Sequence, residues 1–239
     1  MAPSTTCRWP RYWRRRAALP RKPHPDPVRE AALPGSLVSP RTQVSTPLAL
    51  IVGLGNPGPE YHRTRHNAGA DFVSALAAQC GVTLKPEARF HGLAARVQFA
   101  GQDVRLLVPT TWMNRSGQAV GPALNFFKLA PEQLLVAYDE LDLPPGEVRF
   151  KFDGGHGGHN GLRDIIAALG NNRAFHRLRI GIGHPGAREQ VSPHVLSRPS
   201  AADRRLIDLC IEEALHVLPE AVRGNWPIAL NRLNSFRAG

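Results

Sequence analysis

At 239 residues with 42% apolar side chains, the chain is long enough to fill one large core or two small ones. Its net charge of +11 is unevenly placed: residues 1–47 hold nine Lys and Arg against Asp26 and Glu30, or +7, which leaves a mildly basic +4 for the rest, too little to argue by itself for a polyanion partner. Cys7, Cys80 and Cys210 are far apart and form no Cys-x-x-Cys, which argues against a disulfide framework or a zinc site and fits a reduced, cytoplasmic chain.

Residues 1–46 are rich in Pro, poor in aliphatic side chains and carry the run Arg14-Arg15-Arg16. Without apolar periodicity they are expected to be a disordered, basic, Pro-rich N-terminal extension. They hold no apolar run of signal-peptide or membrane-spanning length, and no membrane association is expected. Residues 47–239 are expected to fold.

The folded part opens with a buried strand at Leu48–Val52. The strand ends in a rigid loop, Gly53-Leu54-Gly55-Asn56-Pro57-Gly58-Pro59, which presents the Asn56 amide. Gly53, Gly55 and Gly58 match G-x-G-x-x-G, but a dinucleotide site needs the loop to open straight into a helix, and a polar run of about ten residues intervenes here. Arg63, Arg65, His66 and Asn67 follow. Helical spacing then runs from Ala68 to Gln79, with Asn67 as the expected N-cap and Gly81 as the stop. Arg89–Phe99 and Val104–Val108 read as strands around a turn at Gly101. Ser116–Leu129 reads as a helix, and Leu134–Tyr138 as a buried strand that ends at Asp139. Val148–Phe152 is a strand, Leu162–Leu169 a helix, Leu178–Ile182 a strand, and Asp203–Leu218 and Ile228–Phe236 are helices. Strands alternating with helices predict a single α/β domain, and the hairpin makes its central sheet mixed, mostly parallel, flanked by helices.

Polar residues gather after the strands: Asn56 with His66, then Asn114, then Asp139, and finally His156, His159 and Asn160 in a glycine-rich loop. Strand ends converge on one sheet edge, so these groups are expected to meet. His66 is the natural general base, since an imidazole with an unperturbed pKa of about 6.5 is available in neutral form near neutral pH. A position near the N-terminus of the following helix would favour that neutral form further. Asp139 can accept from one ring nitrogen and leave the other free to take a proton from water. No G-x-S-x-G or cysteine nucleophile is evident, so direct attack by water is expected. His156 and His159 suggest a metal only weakly, because no third ligand is evident, and neither a metal nor a cofactor is expected.

Three long segments resemble the signatures of bacterial-type peptidyl-tRNA hydrolase: LALIVGLGNPGPEYHRTRHNAG (48–69), PTTWMNRSG (109–117) and VAYDELDLPPGEVRFKFDGGHGGHNGL (136–162), with FHRLRIGIGHPG (175–186) continuing the match. The resemblance covers roughly residues 47–237. It implies hydrolysis of the ester between a peptide, or an N-blocked aminoacyl group, and the 3′ ribose of tRNA. It implies His66 and Asp139 as the catalytic pair, Asn56, Asn114 and Asn160 as positioning amides, and Asn67 among the substrate-binding residues. Met113 and Trp112 would give an apolar wall, with Tyr61 lining the same cleft. Trp112 stands where many members carry another aromatic residue. Lys151 and Arg179 correspond to positions that meet tRNA phosphate. The implied partner is peptidyl-tRNA, held by its CCA end and acceptor stem, and the expected state is a monomer.

Overall fold

The computed structural model describes residues 46–238. The expectation of a disordered N-terminal extension falls, but for Thr46, outside them. In chain order the elements are β1 (Leu50–Gly53), α1 (Ala68–Gln79), β2 (Lys85–Glu87), β3 (Gly92–Phe99), β4 (Gln102–Pro109), α2 (Gly117–Phe127), β5 (Leu134–Glu140), β6 (Val148–Phe152), α3 (Asn160–Ala168), β7 (His176–Gly181), α4 (Val191–Leu196), α5 (Ala201–Val222) and α6 (Trp226–Asn234). All seven strands share one sheet in the order β2-β3-β4-β1-β5-β7-β6. The centre is parallel, through the pairs β1–β4, β1–β5 and β5–β7, and both edges are antiparallel. This is the mixed α/β sheet that the alternating elements predict.

The parallel centre explains the sequence pattern. β1 is buried at all four positions and β5 at all but its last, because helices cover both faces and both sets of side chains must be apolar. Leu50, Val52, Val136 and Tyr138 pack with Val120 and Leu124 of α2 and Leu162 and Ile165 of α3 in one core. The antiparallel hairpin β3–β4 turns at Ala100 and Gly101, with φ of 54° and 83°, as a two-residue turn with both residues left-handed requires.

α1 sits unusually close to the sheet. A Cβ on Gly69 would lie 2.1 Å from the Ala137 carbonyl oxygen, and one on Gly53 would lie 2.2 Å from the Gly69 carbonyl oxygen. Only two missing side chains let the start of α1 rest on the backbone of β1 and β5. The Leu54 carbonyl then accepts from the Ala70 amide at 2.9 Å.

The sequence reading starts one strand too early and misses two short elements. The strand expected from Arg89 begins at Gly92, because Ala88–Phe90 forms a 3-10 turn whose end, His91, is left-handed. β2 and α4 have no counterpart in that reading. β2 is three residues long and contains Pro86, and α4 is six residues long and contains Pro193, so neither offers enough periodicity to detect. Among the described residues no helix is long and apolar enough to cross a membrane.

Candidate active site

The chain leaves β1 through the Asn56 loop and returns to the sheet at α1 by two 3-10 turns, Pro59–Tyr61 and Arg65–Asn67. The close seating of α1 therefore delivers His66 to the carboxyl end of β1. Asp139, near the end of the neighbouring β5, stands at the same edge. The glycine loop after β6 brings in His159 and Asn160 at the start of α3.

Asp139 is 3% exposed and is held from two sides. His66 Nδ1 lies 2.9 Å from its Oδ1 and 3.0 Å from its Oδ2, and His159 Nε2 lies 3.0 Å from Oδ1. The amide of Leu162 donates to His159 Nδ1 at 3.3 Å, which caps α3. A ring nitrogen that accepts carries no proton, so His159 bears its hydrogen on Nε2 and donates it to Asp139. His66 donates through Nδ1, which leaves its Nε2 with a lone pair at the cleft.

Burial pushes the Asp139 carboxyl up, but the imidazoles of His66 and His159 outweigh it and hold the group well below the usual carboxylate range. Burial of the His66 ring disfavours its charged form, yet the Asp139 carboxylate and the hydrogen bond to it prevail, so its pKa is raised. This corrects the expectation of a further bias toward the neutral ring, because the contacting carboxylate favours the charged form.

Asn67 occupies the N-cap position of α1 but makes no capping bond. Its side chain turns back to the Asn56 loop, accepting from the Asn56 amide at 2.9 Å and donating to the Asn56 carbonyl at 3.0 Å. The sequence reading as a cap misses this because the partner lies eleven residues upstream. Asn56 Oδ1 in turn accepts from the Met113 amide at 2.8 Å, and Asn160 Oδ1 accepts from Arg163 at 3.0 Å. Each of these amides, oriented by that bond, keeps its NH₂ donors for a ligand.

These groups line a cleft of about 820 Å³ that takes in Asn56, Tyr61, His66, Trp112, Met113, Asn114, Asp139, His159 and Asn160. Tyr61 and Trp112 meet edge to face with centroids 5.7 Å apart, and Trp112 is 49% exposed. Val191, Val195 and Leu196 of α4 form a second apolar wall, and Arg115, Arg163 and Arg188 also face the cleft. Sequence reasoning missed these arginines and the α4 wall, and it placed His159 among the converging polar groups without foreseeing its bond to Asp139. Asn67, Lys151 and Arg179 do not line the cleft. Lys151 is exposed on β6, whereas Arg179 Nε donates to Glu140 at 2.8 Å and is half-buried.

Among the described residues, His66, Asp139 and His159 bring their donor atoms within 4.8 Å of one another. The hydrogen bonds centred on Asp139 account for this grouping. His156 stands apart, its Nδ1 accepting from the Gly158 amide. Neither Cys80 nor Cys210 lines the cleft, and burial pushes the Cys210 thiol up to about 12.

A model of the peptidyl-tRNA hydrolase family matches residues 50–238. The chain is 60% identical to the peptidyl-tRNA hydrolase of Alcanivorax borkumensis over 195 residues, covering 82% of this chain and all of that one. It is 56% identical to that of Pseudomonas aeruginosa over 193 residues, covering 81% and 100%. Among solved structures, peptidyl-tRNA hydrolase from Acinetobacter baumannii superposes with a TM-score of 0.78 at 53% identity, covering 80% of this chain and 96% of that one.

Proposed function

The chain belongs to the bacterial-type peptidyl-tRNA hydrolases and is an enzyme of that class, and on that premise we propose that it cleaves the ester at the tRNA 3′ ribose with water activated by His66. The observation that carries this reading is the Asp139 carboxylate bound to His66 Nδ1, which leaves Nε2 as the nitrogen able to take a proton.

In this reading a water held at His66 Nε2 attacks the ester carbonyl carbon while its proton passes to the ring. Charge develops on the carbonyl oxygen, to which the NH₂ groups of Asn56 and Asn160, each oriented by the bond its Oδ1 accepts, would donate. The carbon–oxygen bond to the ribose then breaks, and imidazolium returns the proton to the ribose oxygen. Peptide acid and free tRNA result, which recycles tRNA from aborted translation. Asp139 stabilises the imidazolium between the two transfers. An ester leaving group needs less protonation help than an amide, so one base is sufficient.

Asn114, Met113, Tyr61 and Trp112 would hold the peptide and the terminal nucleotide of the CCA end. Asn67 acts one step removed, through Asn56. Lys151 is the clearer phosphate contact for the acceptor stem, because Arg179 already has Glu140 as a partner. The working unit in this reading is a monomer, with residues 47–239 as the hydrolase domain. The test is release of tRNA from N-blocked aminoacyl-tRNA without added metal. Equal release by His66→Ala would refute the assignment of the base.

A further inference from the structure

Arg177 is 1% exposed and is the largest fully buried side chain among the described residues. It has no carboxylate within ion-pair distance among the described residues, and its Nε has no hydrogen-bond partner. A buried guanidinium without an acid is costly unless its hydrogens are accepted elsewhere. Two of them are accepted by one segment: Nη1 donates to the Gly155 carbonyl and Nη2 to the Gly154 carbonyl. The Phe175 ring lies 4.7 Å away and the Tyr138 side chain is close.

Those carbonyls belong to the glycine loop that carries His159 and Asn160. A Cβ on Gly155, Gly157 or Gly158 would meet nothing within 4 Å, so packing does not hold this stretch. The bonds within it, Gly158 N–H to His156 and His159 N–H to the His156 carbonyl, are local. The outgoing arm is fixed by His159 on Asp139, and the incoming arm, anchored at its root by the Asp153 amide on the Phe175 carbonyl, is held further in by Arg177. Arg177 extends from β7, the strand that also pairs with β5 beside Asp139.

We propose that Arg177 is a positioning residue: its buried guanidinium clamps the incoming arm of the glycine loop to the sheet and so sets His159 against Asp139 and Asn160 into the cleft. The kinetic half of this proposal rests on the hydrolase reading above; the structural half does not.

Arg177→Met keeps the volume and removes the donors. The two groups that also face the guanidinium keep other partners, Asp153 the Gly154 amide and Tyr138 the Glu140 carboxylate, and the two freed carbonyls lie on a loop that water can reach, so the fold is expected to survive. Amide hydrogen exchange on the free protein should quicken at Gly154–His159 and stay unchanged in β5 and β7. kcat should fall by about 10²-fold, the scale of a misplacement near 1 Å, with KM nearly kept. In a His159→Ala background the same change should cost distinctly less than in the wild type, because part of its effect runs through His159. Arg177→Lys, able to reach one carbonyl at a time, should be intermediate in both readouts, and it carries the test if the Met variant fails to fold. Unchanged loop exchange in the folded variants, or losses that multiply fully with His159→Ala, would overturn the proposal. His66→Ala measured alongside separates the two readings: full activity there removes the base, while loop exchange still decides the clamp.

Discussion

Replacing Asp139 with Asn tests the site at its centre. The carboxylate accepts from two rings at once, His66 Nδ1 and His159 Nε2. An Asn of the same size has one oxygen to accept and one NH₂ that must donate. His159 cannot change tautomer freely, because its Nδ1 already accepts from the Leu162 amide. His159 therefore keeps its Nε2 hydrogen and takes the Asn oxygen. The NH₂ then faces His66 Nδ1 and forces the hydrogen of that ring onto Nε2, the nitrogen that must receive the proton of water. Loss of the base by tautomer, with geometry intact, predicts a fall in kcat of about 10³–10⁴-fold, or about 4–5.5 kcal/mol of barrier. Loss of the carboxylate also removes what raises the His66 pKa, so the acid limb of the rate profile should move to lower pH. The assay is tRNA release from N-blocked aminoacyl-tRNA across pH, with tRNA affinity measured separately and expected to hold. A variant within tenfold of wild type refutes the reasoning. So does full additivity of Asp139→Asn with His66→Ala, which would mean that Asp139 works apart from the ring.

His66→Ala should lower hydrolysis by about 10²–10⁴-fold with tRNA binding nearly unchanged, read by single-turnover release beside filter binding. Lys151→Ala should weaken tRNA binding and reduce the slope of log affinity against log salt by about one unit, while Arg179→Ala should do so less because Glu140 already engages it; equal losses on a minimal substrate lacking the tRNA body would contradict phosphate contact. The Asp139–His66 pair should also shape stability against pH. Its depressed carboxyl stabilises the fold above the unfolded pKa of about 3.9 and loses that contribution as pH falls through the lower folded value. Its raised imidazole stabilises below about 6.5 and loses that contribution as pH rises through the higher folded value. The difference in thermal midpoint between wild type and Asp139→Asn should therefore be largest between about pH 4 and 6.5, and a flat difference would argue against coupling. Gly69→Ala should destabilise by at least about 1–3 kcal/mol in urea unfolding, because the new methyl would lie 2.1 Å from the Ala137 oxygen.

Much of the fold was legible because periodicity and breakers agreed. Ala68–Gln79 and Val148–Phe152 have the same bounds in sequence and structure, and the Gly101 turn was marked by its glycine. The convergence of Asn56, His66, Asp139 and Asn160 was legible from their places after strands. What escaped was long-range hydrogen bonding. Nothing local tells that Asn67 turns to Asn56, that His159 shares Asp139, or that Arg177 on a strand points inward rather than to water. In each case a polar side chain is fixed by a partner that only the folded sheet supplies.

The strand order carries a consequence for how the protein is made. β5 lies between β1 and β7, so one edge of the strand bearing Asp139 stays unpaired until residues 176–181 have been synthesised and added to the sheet. The dyad joins positions 73 residues apart, and the loop clamp comes later still from β7. A growing chain thus lacks a finished site until most of its length has left the ribosome, and during that time it is itself a peptide esterified to tRNA. Contacts this distant in sequence form late, so emerging copies are expected to be inactive toward such esters. A fragment ending before His176 that released tRNA at the full-length rate would contradict this order of assembly.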